Sequence, residues 1–271
     1  MVIIYFKMQQ QNQNHINEEN KNIKSFFEDL LLHTNISSLF NKIRINLEKD
    51  KKVTFECVNE EKTVILNGNF KNKYNWLTST FGIIDLNRLR SLLAHPNFNI
   101  EDKDFSIKIS YKEEKNEKIV SEIIFENSRL KTKASHRFCP KELLQEAKFK
   151  GVEWDCVFEL NLSKINEFIS FASIESSREN FFLPKIENND LMVIFGEENS
   201  SNHHLKMCLV ENISGSFNKN FYWPTNIFIT ILKLSNQNKK PIIHLSQKGI
   251  LMIKLTSDLA EYLYILRAHG K

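Results

Sequence analysis

Apolar and polar positions along this chain recur in one order: a short apolar strand, a polar capping residue, an amphipathic helix, then a run of strands. The clearest pair of such steps is Asp85-Leu-Asn-Arg-Leu-Arg-Ser-Leu-Leu93 and Asn161-Leu-Ser-Lys-Ile-Asn-Glu-Phe-Ile169. Both place apolar side chains one, four, seven and eight positions after the cap residue, and both carry a base three positions after it, Arg88 and Lys164. Apolar residues at that spacing share one face of a helix, and an Asp or Asn just ahead accepts from the first free backbone N–H groups. One design used twice points to an architecture whose shape is its function rather than to an enzyme pocket.

The same reading divides the chain into four units in two halves. The first unit turns helical near Asn20, with Asn22 as cap and Ile23, Phe26, Phe27, Leu30 and Leu31 at helical spacing, and continues as strands over 43–47, 52–58 and 63–70. The second opens with a strand over 81–84, runs through the helix capped by Asp85, stops at His95-Pro96, and adds strands over 105–111 and 118–125. The third has a strand over 154–160, the Asn161 helix, and strands over 181–186, 191–195 and 205–210. The fourth has a strand over 220–223, a helix over 226–234 whose Ile, Thr and Phe favour strand on propensity alone, and strands over 241–245, 250–255 and 262–266. The predicted fold class is α+β: two similar domains, each of two strand-helix-strands units, with helices on one face of antiparallel sheets. Predicted boundaries are a flexible Gln/Asn-rich arm over 1–19, a first domain over 20–127, a connector over 128–151 containing Pro140 and a helical piece over 142–149, and a second domain over 152–271.

Composition agrees with two soluble domains, for 271 residues with 41% hydrophobic and 26% charged residues suffice for two buried cores. No run approaches the roughly 18 apolar residues of a membrane span, and Met1-Val-Ile-Ile-Tyr-Phe6 is too short for a signal-peptide core, so a cytoplasmic location is expected. The four cysteines contain no CxxC and read as reduced core thiols. None of the seven glycines forms a phosphate-cradling loop, GxSxG is absent, and neither His203-His204 nor His136-x-x-Cys139 has a second ligand pair at metal spacing. No enzyme activity, metal or cofactor is expected.

The formal net charge of +4 is too small to bind nucleic acid in bulk, but it leaves room for a local basic surface. Lys21, Lys24, Arg88, Arg90, Lys164 and Lys233 lie on or beside the four helices. Two readings stand side by side: solvated borders of apolar stripes, or long side chains that face phosphates. Glu167, an acid on the third helix, opposes the second reading there.

The step Phe81-Gly-Ile-Ile-Asp-Leu-Asn-Arg-Leu, the step over 157–171, and the closing run Gly249-Ile-Leu-Met-Ile-Lys-Leu255 to Tyr262-Leu-Tyr-Ile-Leu266 resemble the trimeric DNA sliding clamps of T4-like phages, which are related in fold to PCNA. The first of these is similar to the clamps' YDLNxFL segment, and the resemblance extends over about residues 20–267. It implies a clamp fold without cofactor, three subunits closed into a ring by edge-strand pairing, and helices lining the hole. By position it assigns contact with duplex DNA, irrespective of sequence, to Lys21, Lys24, Arg88, Arg90, Lys164 and Lys233. It further implies binding of the replicative DNA polymerase and a clamp loader through a region that includes Leu130, Phe138, Leu143 and Phe149, and a place in the host-cell cytoplasm. Two alternatives of other classes remain: a non-catalytic β-rich viral structural protein, and an enzyme whose site carries no familiar motif.

Overall fold

The computed structural model describes residues 2–114, 116–144, 146, 149–175, 178–196, 204–235 and 239–269, with side chains from Glu18 onward. The chain runs through α1 (Val2–Thr34), β1 (Lys42–Leu47), β2 (Val53–Val58), β3 (Val64–Phe70), β4 (Phe81–Ile84), α2 (Leu86–Leu93), β5 (Phe105–Glu114), β6 (Glu117–Asn127) and β7 (Thr132–Arg137). It continues through β8 (Cys156–Glu159), α3 (Leu162–Glu175), β9 (Phe181–Glu187), β10 (Asp190–Phe195), β11 (Leu205–Val210), β12 (Trp223–Pro224), α4 (Thr225–Leu232), β13 (Ile242–Ser246), β14 (Ile250–Thr256) and β15 (Ala260–Arg267). Two compact units result: Met1–Phe55 with Phe70–Glu146, and Glu56–Asn69 with Ala147–Lys271.

In the first unit β4, β1 and β2 are neighbours in that order, and β5, β6 and β7 form an antiparallel meander. Strict alternation sets the register: in β2, Val53, Phe55 and Cys57 are buried while Thr54, Glu56 and Val58 are not, and a slip of one residue would turn the apolar set to water. α1 contributes Ile23, Phe26, Phe27 and Leu30 to the core, and α2 contributes Leu86, Leu89 and Leu93. Phe26 is the centre of an aromatic cluster, with ring centroids 4.1 Å from Phe70, 4.8 Å from Tyr74 and 5.0 Å from Trp76.

The second unit places β3, β15, β14, β13 and β8 in order, and beside them β11, β10, β9 and β12. Here Phe168 of α3 is fully buried, 5.3 Å from Phe182, 5.5 Å from Phe195 and 5.1 Å from Phe228 of α4. α4 is helical despite its β-branched residues because Phe228, Ile231 and Leu232 meet the core at helical spacing. Tertiary burial outweighs a propensity difference of tenths of a kcal/mol per residue.

Three elements differ from the sequence expectation. α1 is continuous from Val2, so its helix begins well before the Asn22 cap and passes through the expected arm. A helix closes its hydrogen bonds locally and needs no apolar stripe to exist, which is why polar residues 7–20 hid it. The expected connector contributes β7, whose Thr-Lys-Ala-Ser-His-Arg sequence buries only His136 and so carries no apolar alternation to read. The described part of the helix expected over 142–149 is a 3-10 turn at Lys141–Leu143.

The segment that follows β7 returns to β4. Gly82 and Cys139 exchange both backbone hydrogen bonds, at 2.8 and 2.9 Å, and Arg44 on β1 pairs with Glu146 at 3.1 Å. A Cβ at Gly82 would collide with Leu144 and with Cys139 Sγ, so glycine is what lets these side chains sit as they do beneath the strap.

Candidate nucleic-acid interface

Capping sets where the helical bases stand. Asp85 Oδ1 accepts from the Arg88 N–H at 3.2 Å, and Asn161 Oδ1 accepts from the Lys164 N–H at 2.9 Å. Each cap therefore fixes the helix start and presents a base at the first exposed turn. Asp85 does so from the left-handed region, φ 54°, where a short polar side chain is tolerated better than most.

Arg88 and Arg90 are both exposed on the eight-residue α2. Arg90 Nη1 reaches the Asn35 carbonyl at the end of α1, at 3.5 Å, and Asn35 Nδ2 donates to Asn87 Oδ1 at 3.0 Å. A guanidinium at a helix C-terminus meets its negative end, so Arg90 joins the two helices of this unit while leaving charge in solvent. Arg88 Nη1 lies 3.4 Å from Nδ1 of His136 on β7. Burial first, and then this guanidinium, hold the His136 imidazole below its usual pKa. The neutral ring accepts at Nδ1, which leaves a buried Nε2–H without a partner among the described residues.

The other four expected bases stand differently. Lys21 is exposed, on a face of α1 that also exposes Glu18 and Glu28. Lys24 turns to the body: its side chain is 13% exposed, with Nζ 3.4 Å from the Phe98 carbonyl, 3.8 Å from Glu28 and 6.0 Å from the Phe105 ring centre. Lys164 donates to Glu167 at 2.8 Å and to the Cys208 carbonyl at 3.0 Å, and the Glu167 hydrogen bond raises its pKa. Lys233 is exposed at the C-terminal end of α4. The structure thus leaves Arg88 and Arg90 exposed on α2, turned to β7 and to α1 respectively, pairs Lys164 with Glu167 and seats Lys24 against the fold. The outward face of α3 carries Ser163, Asn166, Ser170 and Ser173, which are neutral and at least partly exposed.

Among the residues expected to meet a partner, Leu143 and Leu130 are 68% and 44% exposed. Phe138 is half-buried against Phe81 (4.5 Å) and Phe27 (5.9 Å) and serves packing. Phe149, also half-buried, lies 6.3 Å from Trp154, whose ring is 5.3 Å from His244. Of the residues that set the two arginines, Asn35 had no mark in the sequence and His136 stood out only for its spacing to Cys139, because no periodicity ties either one to the helical bases.

Among the described residues no three His, Cys, Asp or Glu gather as a metal site, and no helix is long and apolar enough to cross a membrane. Cys57, Cys139, Cys156 and Cys208 are unpaired thiols, and burial raises the pKa of each. No model of a known protein family and no curated protein matches the sequence.

Solved structures do match. PCNA of A. fulgidus, determined with the C-terminal region of FEN-1 bound, superposes with a TM-score of 0.63 at 11% identity, covering 92% of this chain and 96% of that one. PCNA of Entamoeba histolytica gives 0.61 at 13% identity, with 92% and 95% covered, and PCNA of Thermococcus kodakaraensis gives 0.58 at 12%, with 91% and 97% covered. The fold is the PCNA-like clamp fold, over nearly the whole of both chains.

Proposed function

We propose that this chain is the subunit of a sliding clamp, a non-catalytic ring that encircles duplex DNA and tethers the replicative polymerase. The observation that carries the reading is the clamp fold over more than nine-tenths of the chain, reached through four repeated units whose sequence carries no familiar catalytic motif. The A. fulgidus neighbour holds a peptide region of another protein, and a comparable docking of polymerase and clamp loader here would use the region of Leu130 and Leu143. The T4-like sequence steps favour a phage clamp working in the host-cell cytoplasm.

Ring closure needs one open sheet edge from each unit, and most edges are taken. β4 is bridged by Cys139 and β8 by Gly215; Asn20 of α1 occupies part of the β5 edge, and β12 has only two residues. β7 and β11 are left, six residues each. Head-to-tail pairing of β7 with the β11 of a neighbour would satisfy both and close a ring of three. Duplex inside it would meet Arg88 and Arg90 as the chief cations, then Lys21 and Lys233, with Lys24 and Lys164 contributing less, among neutral Ser and Asn. Few phosphate contacts and no base readers hold DNA weakly in any register.

Mass in solution tests the ring: a particle near three times 31.9 kDa is expected. A strict monomer, or release from end-blocked DNA as fast as from open-ended DNA after loading, would overturn it.

A further inference from the structure

A pairing rule runs through the fold. β8 precedes α3 and pairs antiparallel with β13, the first strand after α4; β12 precedes α4 and pairs with β9, the first strand after α3. In the first unit β4 precedes α2 and pairs antiparallel with β1, the first strand after α1. The fourth case would be a strand ahead of α1, laid along the outer edge of β5, the first strand after α2. Among the described residues no strand lies there.

That edge is prepared for a partner. The Ile107 N–H points away from β6 and is taken by Asn20 Oδ1 at 3.1 Å; Ile109, two residues on, presents the same edge and reaches no described strand. Nearby, Tyr111 Oη donates to the Trp76 carbonyl at 2.8 Å, and a cleft of about 380 Å³ lies between Glu18 and Glu19 of α1 and the segment Tyr74–Trp76. Tyr74 Oη and Trp76 Nε1 are buried and have no acceptor among the described residues. Burial, and then Asp29, push the Tyr74 phenol up to about 12, so it is a donor at neutral pH.

We propose that the outer edge of β5 is the docking place of residues Val2–Phe6 of the same chain, in a second state in which α1 begins near Asn20 and these five residues form an antiparallel strand. Val-Ile-Ile-Tyr-Phe is the one β-branched and aromatic run ahead of Asn20, the composition that suits a sheet position. Its five residues suffice for a ladder of four pairs like those of β4 with β1 and β8 with β13. Residues 7–19 are largely polar and long enough to lead the chain back. The first turn of α1 has no acid to meet the helix dipole, so its intrahelical bonds gain no terminal charge stabilisation. Strand addition would exchange those bonds for ladder bonds and cover an edge otherwise open to foreign strands. The inference rests on the fold alone and is independent of ring formation.

Hydrogen exchange on the full chain tests it, reading the amides of 106–112 in the wild type and in a V2A/I3A/I4A variant, which favours helix over strand. Exchange slower in the wild type by at least about tenfold is expected; equal rates overturn the proposal. In an I4C/I109C variant oxidised at low concentration, a disulfide within one chain is expected. A cross-linked dimer would place the strand on a neighbouring copy, and failure to cross-link would leave the edge empty; either result overturns the proposal.

Discussion

His136 shows how a single side chain ties the basic face to the fold. Its buried, neutral ring takes an Arg88 hydrogen bond at Nδ1, and its pKa lies below that of the unfolded chain because burial and the guanidinium disfavour a second charge. The unfolded state therefore binds more protons as acid is added, so this contribution to stability is complete above about pH 6.5 and is lost as pH falls below it. His244, depressed by burial and then Lys254, acts in the same direction. Urea unfolding at pH 7.5 and 5.5 should show a loss of stability in the wild type, and a smaller one in His136→Gln. The caps give a second prediction. Asn161→Ala should cost about 1 kcal/mol. Asp85→Ala should cost more, because alanine in the left-handed region adds about 1 kcal/mol of strain. Asp85→Gly, free of that strain, should be less destabilising than Asp85→Ala in a thermal or denaturant titration.

Among whole elements, the helices differ in what holds them. α3 depends on Phe168, whose ring meets three others; Phe168→Ala should destabilise by about 3 to 5 kcal/mol, readable as a shifted denaturant midpoint. The strap over β4 depends on an absence: Gly82→Ala would press into Leu144 and Cys139 and should cost about 1 to 3 kcal/mol. Adding Leu144→Ala should return part of that loss, because it removes one of the two colliding groups. α2 and α3 were legible because capping and apolar spacing are local signals, carried by Asp85, Asn161 and their i+1, i+4 and i+7 followers. β7 was not, since a strand that buries a histidine shows no apolar period. α4 was legible in place, while its helical state against β propensity rests on burial of Phe228, Ile231 and Leu232.

For the molecule as a whole, charge placement and open edges bear on how it would meet DNA. On the proposed DNA-facing role, replacing both Arg88 and Arg90 by Gln should reduce the slope of log affinity against log salt by about two, near 0.9 for each phosphate that is no longer neutralised. Replacing Lys24 and Lys164, held by Phe98, Glu28, Glu167 and Cys208, should change that slope far less. The six bases looked equivalent along the chain because sequence spacing reports which face of a helix a residue occupies. It does not report which carbonyl or carboxylate from a distant strand waits there. The periodic steps, the caps and the fourfold repetition followed from local order, since helix and strand periods are written in neighbouring residues. Strand order, the strap on Gly82, the seating of Lys24 and the hold of Asn20 on the edge of β5 arise from contacts between residues far apart in the chain, and only folding brings those partners within reach.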